Sequence, residues 1–261
     1  MTSRSVLRRL KGFCQRKATG SLFTRPVAIR TQKPLISFTF DDFPRSAWLT
    51  GGAILERFGA RGTYYASLGL MGQTAPTGSL FVPQDATDLV ARGHELGCHT
   101  YDHRHSWDTK TGVFERSLID NSTALATLVP GARFTTFSYP ISPPWPQTKR
   151  MVGSRFACAR GGGQRFNTGI ADLNYLSAYF LEKTRHDPDA IKDVIQRNVL
   201  ARGWLIFATH DVSGDPTPYG CTPRLFEDIV EYSVRSGARI VPVTEALKEI
   251  CSDRRPAHEI H

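Results

Sequence analysis

Short runs rich in β-branched and aromatic residues alternate along this chain with longer segments of helical periodicity. The predicted strands cover residues 35–40, 63–67, 94–99, 134–139, 156–159, 175–180, 204–209 and 239–243. The predicted helices lie between most of them, at residues 47–58, 83–92, 113–128, 189–200, 223–236 and 244–250. Such alternation is typical of parallel strands joined by right-handed crossovers. We therefore expect an α/β fold, a distorted (β/α) barrel with seven or eight parallel strands.

The positive charge of the chain is concentrated at its N-terminal end. Residues 1–33 contain nine Lys or Arg side chains and no acid, out of 33 basic and 24 acidic residues in all. The rest of the chain therefore carries 24 basic and 24 acidic residues and is neutral. We expect a basic N-terminal arm at 1–33, one catalytic barrel at 34–252 and a C-terminal tail at 253–261. No nucleic-acid partner is expected, because no helix-turn-helix or zinc-finger spacing accompanies the charge.

The basic arm leaves two interpretations open. Its segment SVLRRLKGFCQRK, residues 5–17, spaces apolar residues as an amphipathic surface helix does, which would favour peripheral contact with anionic lipid, yet a solvated arm has the same composition. No apolar run has the length of a signal peptide core near the N-terminus or of a membrane span anywhere. Five cysteines without a C-x-x-C pair favour a reducing compartment. The sequence thus predicts a cytoplasmic protein, with membrane association left open.

Polar motifs follow four of the predicted strands. They are TFDD at residues 39–42, HTYDH at 99–103, FSYP at 137–140 and ATHD at 208–211. Because barrel enzymes carry their chemistry at the carboxyl ends of strands, we expect these motifs to meet at one mouth. His99 and His103, four residues apart, can face one point if the chain turns helically after the strand. One of the two aspartates would complete a metal site of two histidines and one carboxylate.

TFDD, HTYDH and the late THD resemble, in that order, the first, second and fifth motifs of the polysaccharide deacetylases with the NodB homology domain, carbohydrate esterase family 4. The resemblance extends from about residue 34 to residue 243. It implies a distorted (β/α) barrel and one divalent metal ion, with zinc as the first candidate and cobalt, manganese or nickel as alternatives. The implied reaction is hydrolysis of the N-acetyl group of an amino sugar, in a poly- or oligosaccharide or its precursor.

The resemblance also implies roles for individual residues. Asp41 stands at the position of the general base and His210 at that of the general acid. The implied metal ligands are Asp42, His99 and His103. Amide hydrolysis needs this set because a metal ion activates water at neutral pH, while the departing amine needs a proton. The backbone N–H near Ile141 stands where the family supplies a donor to the carbonyl oxygen.

The third motif departs from the family pattern. The family has an arginine there that orients the base, whereas SYPI, residues 138–141, puts Ser138 in that place and Ile141 in the place of a tyrosine. Arg160, in the run FACARGGG, is a candidate to reach Asp41 from another direction, with an ordinary structural arginine as the alternative. The fourth-motif aspartate of the family has no clear counterpart in the sequence.

Aromatic residues near the motifs are candidates for stacking on sugar rings. Tyr139 and Trp145 follow the fourth strand, and Tyr219 follows the seventh. Two other functions stay open at this point. One is hydrolysis of another non-peptide carbon–nitrogen bond, because metal, base and acid do not select the acyl group. The other is a catalytically inactive carbohydrate-binding protein, because the third-motif arginine is absent.

Overall fold

The structure is a computed structural model that describes residues 17–141 and 143–252, and its centre is an eight-stranded parallel sheet. The sheet curls into the expected distorted barrel, with strands in the order β10-β11-β2-β3-β6-β7-β8 and β12 beside the first half of β2. Its strands are β2 Leu35–Phe40, β3 Thr63–Ala66, β6 Glu95–Cys98, β7 Thr136–Ser138, β8 Cys158–Arg160, β10 Tyr179–Phe180, β11 Trp204–Thr209 and β12 Arg239–Ile240. Two antiparallel pairs lie outside it: β1 Pro26–Ile29 with β9 Gly169–Asp172, and β4 Thr74–Ala75 with β5 Gly78–Ser79.

Helices surround the sheet. They are α1 at residues 17–21, α2 Ala53–Arg57, α3 Pro83–Ala91, α4 Thr111–Leu128, α5 Pro146–Arg155, α6 Pro188–Ala201, α7 Pro223–Arg235 and α8 Val243–Ser252. A π-helical segment, Ala47–Gly52, precedes α2. Short 3₁₀ turns occupy Leu68–Leu70 and Leu181–Lys183. Among these described helices, none is long and apolar enough to cross a membrane.

The two central strands place the first and last motifs side by side. All six residues of β2 and all six of β11 are buried, because helices cover both faces of a parallel sheet. The strands pair in parallel from Leu35 opposite Trp204 to Phe40 opposite Thr209. The next N–H, that of Asp41, donates to the carbonyl of Thr209 at 2.9 Å. Asp41 and His210 therefore leave the sheet at adjacent points.

The seam of the barrel between β8 and β10 is bridged by the chain that leads into β10. The N–H of Ala159 donates to Leu173 O at 2.8 Å, and its carbonyl accepts from Leu176 N at 2.8 Å. The N–H of Gly161 donates to Leu176 O at 2.9 Å. These bonds fix the end of β8, where Arg160 lies, relative to the rest of the barrel.

The N-terminal segment from residue 17 onward packs on the barrel. Strand β1 pairs with β9, and the guanidinium of Arg25 donates to the carbonyl oxygens of Gly153, Phe156 and Ala157. Asp172 accepts from the N–H of Arg25 and forms an ion pair of 2.6 Å with Lys149, whose side chain has no exposure. Residues 17–33, which the sequence places in the arm, thus lie against the barrel. Residues 1–16 and 253–261 lie outside the described residues.

Three local elements differ from the sequence-based expectation. Helix α5 lies in a segment for which no helix is predicted, since Pro144 and Pro146 read as loop residues, although proline is well tolerated in a first helical turn. The predicted strand 175–180 is reduced to β10, and β9 lies in a segment for which no strand is predicted. Arg160 is the last residue of β8 and does not follow it in a loop, so its side chain direction is set by the strand.

Candidate active site

Three motif side chains gather at the carboxyl ends of β2 and β6. Oδ1 of Asp42 lies 3.5 Å from Nε2 of His99 and 3.3 Å from Nε2 of His103. One ligand atom from each of the three residues lies within 4.8 Å of the other two. The expected set of two histidines and one carboxylate is therefore brought together, with its donor atoms turned towards a common point.

The chemistry of these donor atoms fits a divalent metal ion. Oδ1 of Asp42 is buried and has no hydrogen-bond partner among the described residues, which is costly unless a cation or a donor occupies the adjacent space. Nδ1–H of His99 can donate to the carbonyl of Ser138 at 2.8 Å, and this bond selects the tautomer whose Nε2 carries a free lone pair. Burial lowers the pKa of His99 to about 4, so its imidazole is neutral near pH 7.

The backbone turn after β2 explains how two neighbouring aspartates reach one site. Successive side chains of a strand point to opposite faces. Asp42 and Phe43 leave the strand conformation with φ angles of +61° and +54°, in the left-handed region that costs a non-glycine residue roughly 1–2 kcal/mol. The turn brings the Asp42 carboxylate to the same cavity that Asp41 lines.

Asp41 forms a buried ion pair with Arg160. Nη2 of Arg160 contacts Oδ1 of Asp41, and the exposed fractions of the two side chains are 1% and 7%. Burial by itself raises the pKa of Asp41, but the charges of Arg160, His99 and His210 outweigh it and lower the pKa to about 2. The guanidinium lies 4.7 Å above the ring of Tyr65. The arginine that the sequence suggested thus reaches the carboxylate, from β8 and not from the third motif.

His210 lies across the same cavity from the histidine pair. Its Nδ1 lies 3.2 Å from the carbonyl oxygen of Tyr219, to which it can donate, and the two rings are 5.6 Å apart. Its neighbour Asp211 is turned away: its carboxylate accepts from the N–H of Thr217 at 2.8 Å and from the Thr217 hydroxyl. Asp211 therefore stabilises the loop, whereas His210 faces the cavity.

A cavity of about 480 Å³ contains all these groups. Its ionisable lining residues are Asp41, Asp42, His99, His103 and His210. Its other lining residues are Leu70, Ala75, Pro76, Thr77, Tyr139, Ile141, Phe180 and Tyr219. The candidate base, the candidate acid and the candidate metal ligands therefore open into one space, with largely apolar walls around them.

The four residues expected to bind substrate occupy different positions. Ile141 lines the cavity and is 61% exposed, with a φ of +47°. Tyr139 also lines it, but its ring is buried and its hydroxyl donates to the carbonyl of Asn174 at 3.1 Å. Arg160 lies behind Asp41. Trp145 does not line the cavity, and its ring packs edge-on against Trp107 at 4.6 Å. Sugar stacking by Tyr139 or Trp145 stays a prediction.

Two residues at the site have no motif in the sequence. Thr77, at the tip of the β4–β5 hairpin, donates its hydroxyl to Oδ2 of Asp42 at 3.1 Å. Glu182 follows β10, and burial raises the pKa of its carboxyl group although the charge of His210 opposes the shift. The only sequence signal for Glu182 was its position two residues after a predicted strand. Thr77 had none, because its hairpin is too short and polar to read as a pair of strands.

The curled parallel sheet with its surrounding helices is the distorted barrel of the solved carbohydrate esterase family 4 deacetylases. The family model described as polysaccharide deacetylase matches residues 28–154, which include the TFDD and HTYDH motifs. The resemblance to the polysaccharide deacetylase family that the motifs indicated is confirmed over residues 28–154. No curated protein sequence matches the chain.

Solved structures show the same fold at low sequence identity. The chitin deacetylase of Colletotrichum lindemuthianum is 17% identical, with a TM-score of 0.61, over 90% of this chain and 96% of that one. The peptidoglycan deacetylase PdaC of Bacillus subtilis is 15% identical, with a TM-score of 0.56, over 87% and 95%. A family 4 pseudoenzyme of Bacillus anthracis is 12% identical, with a TM-score of 0.59, over 84% and 67%. At these identities the likeness establishes the fold.

Proposed function

We propose that the protein is a metal-dependent hydrolase that removes the N-acetyl group from an amino sugar of a poly- or oligosaccharide or its precursor. The observation that carries the proposal is one cavity that contains a metal-ligand cluster, an ionised carboxylate and a histidine. Amide hydrolysis needs an activated water, a proton acceptor and a proton donor, and these groups can supply all three.

Asp42, His99 and His103 would hold one divalent ion, with zinc as the first candidate. Two imidazole nitrogens and one carboxylate oxygen suit zinc, and cobalt, manganese and nickel accept the same donors. When bound, such an ion polarises a carbonyl group and lowers the pKa of a bound water from about 16 to about 7. The orphaned oxygen of Asp42 and the fixed tautomer of His99 support this assignment.

Asp41 is the proposed general base. Because Arg160 and the nearby histidines lower its pKa to about 2, it is ionised and able to accept a proton throughout the neutral range. Arg160 also fixes its direction, since Oδ1 is engaged by the guanidinium while the carboxylate still lines the cavity. The arginine therefore acts through Asp41, as a positioning residue.

His210 is the proposed general acid. A hydrogen bond from Nδ1–H to the Tyr219 carbonyl leaves Nε2 as the nitrogen that can deliver a proton. The leaving amine needs that proton because an amine anion is a very poor leaving group. A positioned acid or base of this kind contributes roughly 10²- to 10⁴-fold to the rate.

Two alternative functions differ from the proposed one, either in the acyl group that is removed or in the absence of catalysis. The same base, acid and ligands could hydrolyse another non-peptide carbon–nitrogen bond, such as that of an N-formyl group. A carbohydrate-binding protein without catalysis is the third reading, and the presence of Asp41, Asp42 and His210 together argues against it. A carbohydrate is the proposed substrate. A cytoplasmic location and membrane contact through the basic arm stay predictions.

One experiment separates these readings. Purified protein loaded with zinc, cobalt or manganese is incubated with N-acetyl and N-formyl amino sugars and oligosaccharides, and released acetate or formate is measured. We expect release from the wild type and roughly 10²- to 10⁴-fold slower release from Asp41→Asn. Release of formate alone would show that the enzyme removes a formyl group and not an acetyl group. Sugar binding without release under every metal would refute the enzymatic proposal.

A further inference from the structure

The β4–β5 hairpin packs against the turn that carries Asp42. The tip residue Thr77 is only 4% exposed, and its hydroxyl donates to Oδ2 of Asp42 at 3.1 Å. Among the described residues, no other hydrogen bond reaches this carboxylate. Oδ1, which faces His99 and His103, is the oxygen left without a hydrogen bond. The two oxygens of Asp42 thus have different surroundings, because Thr77 binds Oδ2 and leaves Oδ1 facing the two histidines.

We propose that Thr77 is a positioning residue of the metal centre, which holds Asp42 so that a single carboxylate oxygen is presented to the ion. The inference rests on the metal centre of the proposed function, and it assigns a task to a hairpin that the family motifs do not include.

Phe43, the residue that follows Asp42, holds the hairpin in place relative to Asp42. Phe43 stacks on Phe81 with ring centroids 4.4 Å apart and an interplanar angle of 6°. The N–H of Phe81 donates to the carbonyl of Phe43 at 3.1 Å, and Pro44 forms a bridge with Leu80. The hairpin therefore contacts the turn at its base as well as at its tip.

These contacts also account for the left-handed turn. Two consecutive non-glycine residues with positive φ, Asp42 and Phe43, persist only where the surroundings over-determine them. The stacking of Phe43 on Phe81 fixes the second residue, and the bond from Thr77 fixes the first. The hairpin thus stabilises the backbone conformation that sends Asp42 into the cavity.

A carboxylate without such a partner is free to rotate. The terminal torsion of an aspartate has a broad, roughly two-fold energy profile, so packing alone fixes it poorly. Loss of the Thr77 hydroxyl would let either oxygen, or both, turn towards the histidines. Since outer partners of metal ligands typically contribute roughly 10- to 100-fold to metal affinity, we expect an effect of that size here.

The test compares the metal affinities of matched variants of the full chain. Thr77→Val removes the hydroxyl and keeps the branched shape, Thr77→Ser restores a hydroxyl, and Thr74→Val makes the same change at an exposed position of the same hairpin. Dissociation constants for zinc and cobalt are measured by competition with a chromophoric chelator. Melting temperatures of the metal-free proteins are measured beside them.

We expect Thr77→Val to bind zinc roughly 10- to 100-fold more weakly than the wild type. Thr77→Ser and Thr74→Val should bind close to the wild-type value and melt like it, and metal-free Thr77→Val should melt no more than about 2–4 °C lower, the shift expected for the loss of one hydrogen bond. Equal zinc affinity of Thr77→Val and the wild type overturns the role of Thr77 and leaves the proposed function intact. A wild type that binds no divalent ion overturns the metal centre, and this inference with it.

A purely structural role of Thr77 would give a different pattern. The metal-free Thr77→Val protein would then melt more than about 4 °C below the wild type, in step with its loss of affinity. Cobalt absorption provides an independent readout, because its visible spectrum depends on the number and symmetry of the ligands. We expect an altered spectrum for cobalt-loaded Thr77→Val, and an unchanged one contradicts the proposal.

Discussion

Arg160, on β8, and Asp41, at the end of β2, form an ion pair across the interior of the barrel. Three strands, β3, β6 and β7, separate β8 from β2 in the sheet, so the contact spans the curled sheet and does not join neighbours. Both side chains are almost fully buried. The position of the proposed base therefore depends on closure of the barrel as well as on its own strand.

Arg160→Met should destabilise the metal-free protein, relative to the wild type, more at neutral pH than at pH 4. In the wild type the pKa of Asp41 is about 2, below its unfolded value near 3.9, so the ion pair contributes stability above about pH 4 and loses it towards pH 2. The variant leaves a buried carboxylate unpaired, which typically costs roughly 3–5 kcal/mol. Urea unfolding of both proteins at pH 7 and pH 4, with chelator present, measures the difference. A loss of the same size at both pH values would contradict the assigned ionisation.

An arginine moved to the neighbouring strand should restore part of the function lost with Arg160. Ser138 and Arg160 are paired in register on β7 and β8, and the Ser138 hydroxyl is buried without a partner among the described residues. We expect Arg160→Ser to lower kcat strongly and the double variant Ser138→Arg, Arg160→Ser to recover part of the loss. Ser138→Arg alone should be impaired, because two guanidinium groups would compete for one carboxylate. No recovery in a folded double variant would argue that position 138 cannot serve the base.

Asp41→Asn should separate catalysis from metal binding. The side chain is not among the three ligand candidates, so the variant should keep one divalent ion per chain and lose roughly 10²- to 10⁴-fold in kcat. His103→Ala should lose the ion as well as the activity. Metal content by elemental analysis and released acetate are the two readouts. Loss of the ion from Asp41→Asn would show that the aspartate assignments must be revised.

The defect of His210→Asn should depend on the leaving group. A poor amine leaving group needs a proton from the acid, whereas the phenolate of an acetate ester leaves without one. We expect a loss of roughly 10²- to 10⁴-fold for an N-acetyl sugar and a much smaller one for an aryl acetate. The ratio of the two defects is the measurement. Equal defects for both substrates would assign His210 to another role.

Asp172→Ala should destabilise the protein through the buried Lys149. The ammonium group has no exposure and would lose its 2.6 Å partner, a change that typically costs roughly 3–5 kcal/mol. Asp193→Ala, which removes an exposed pair with Arg197, is the control and should have little effect. Denaturant unfolding compares the two. Equal effects would show that the buried Lys149–Asp172 ion pair contributes no more to stability than an exposed pair does.

The central strands and the motif positions could be predicted because their causes are local. A strand buried on both faces reads as a continuous apolar run, as in β2 and β11, and the polar motifs follow directly. The grouping of Asp42 with His99 and His103 then follows from the rule that parallel strands end at one edge. The family was predicted from these same motifs, and its match to residues 28–154 confirms it.

The remaining features depend on contacts between distant parts of the chain. The pairing of β1 with β9 joins segments about 140 residues apart, and neither strand has an alternating pattern. Thr77 meets Asp42 across 35 positions, through a hairpin of two-residue strands. Trp145 lies away from the cavity because the loop before α5 turns its ring onto Trp107. No local propensity specifies any of these contacts.

The guanidinium that contacts Asp41 comes from Arg160 on β8, and this affects how sequences that resemble the family should be classified as active or degenerate. A scheme that compares motifs letter by letter records position 138 as a lost arginine and groups the chain with degenerate members. A scheme that searches coordinates for a guanidinium touching the first aspartate of the TFDD motif records the same group as retained. For chains of this kind, a spatial template is the sounder criterion, because it finds the arginine by its contact with the aspartate and not by its place in the sequence.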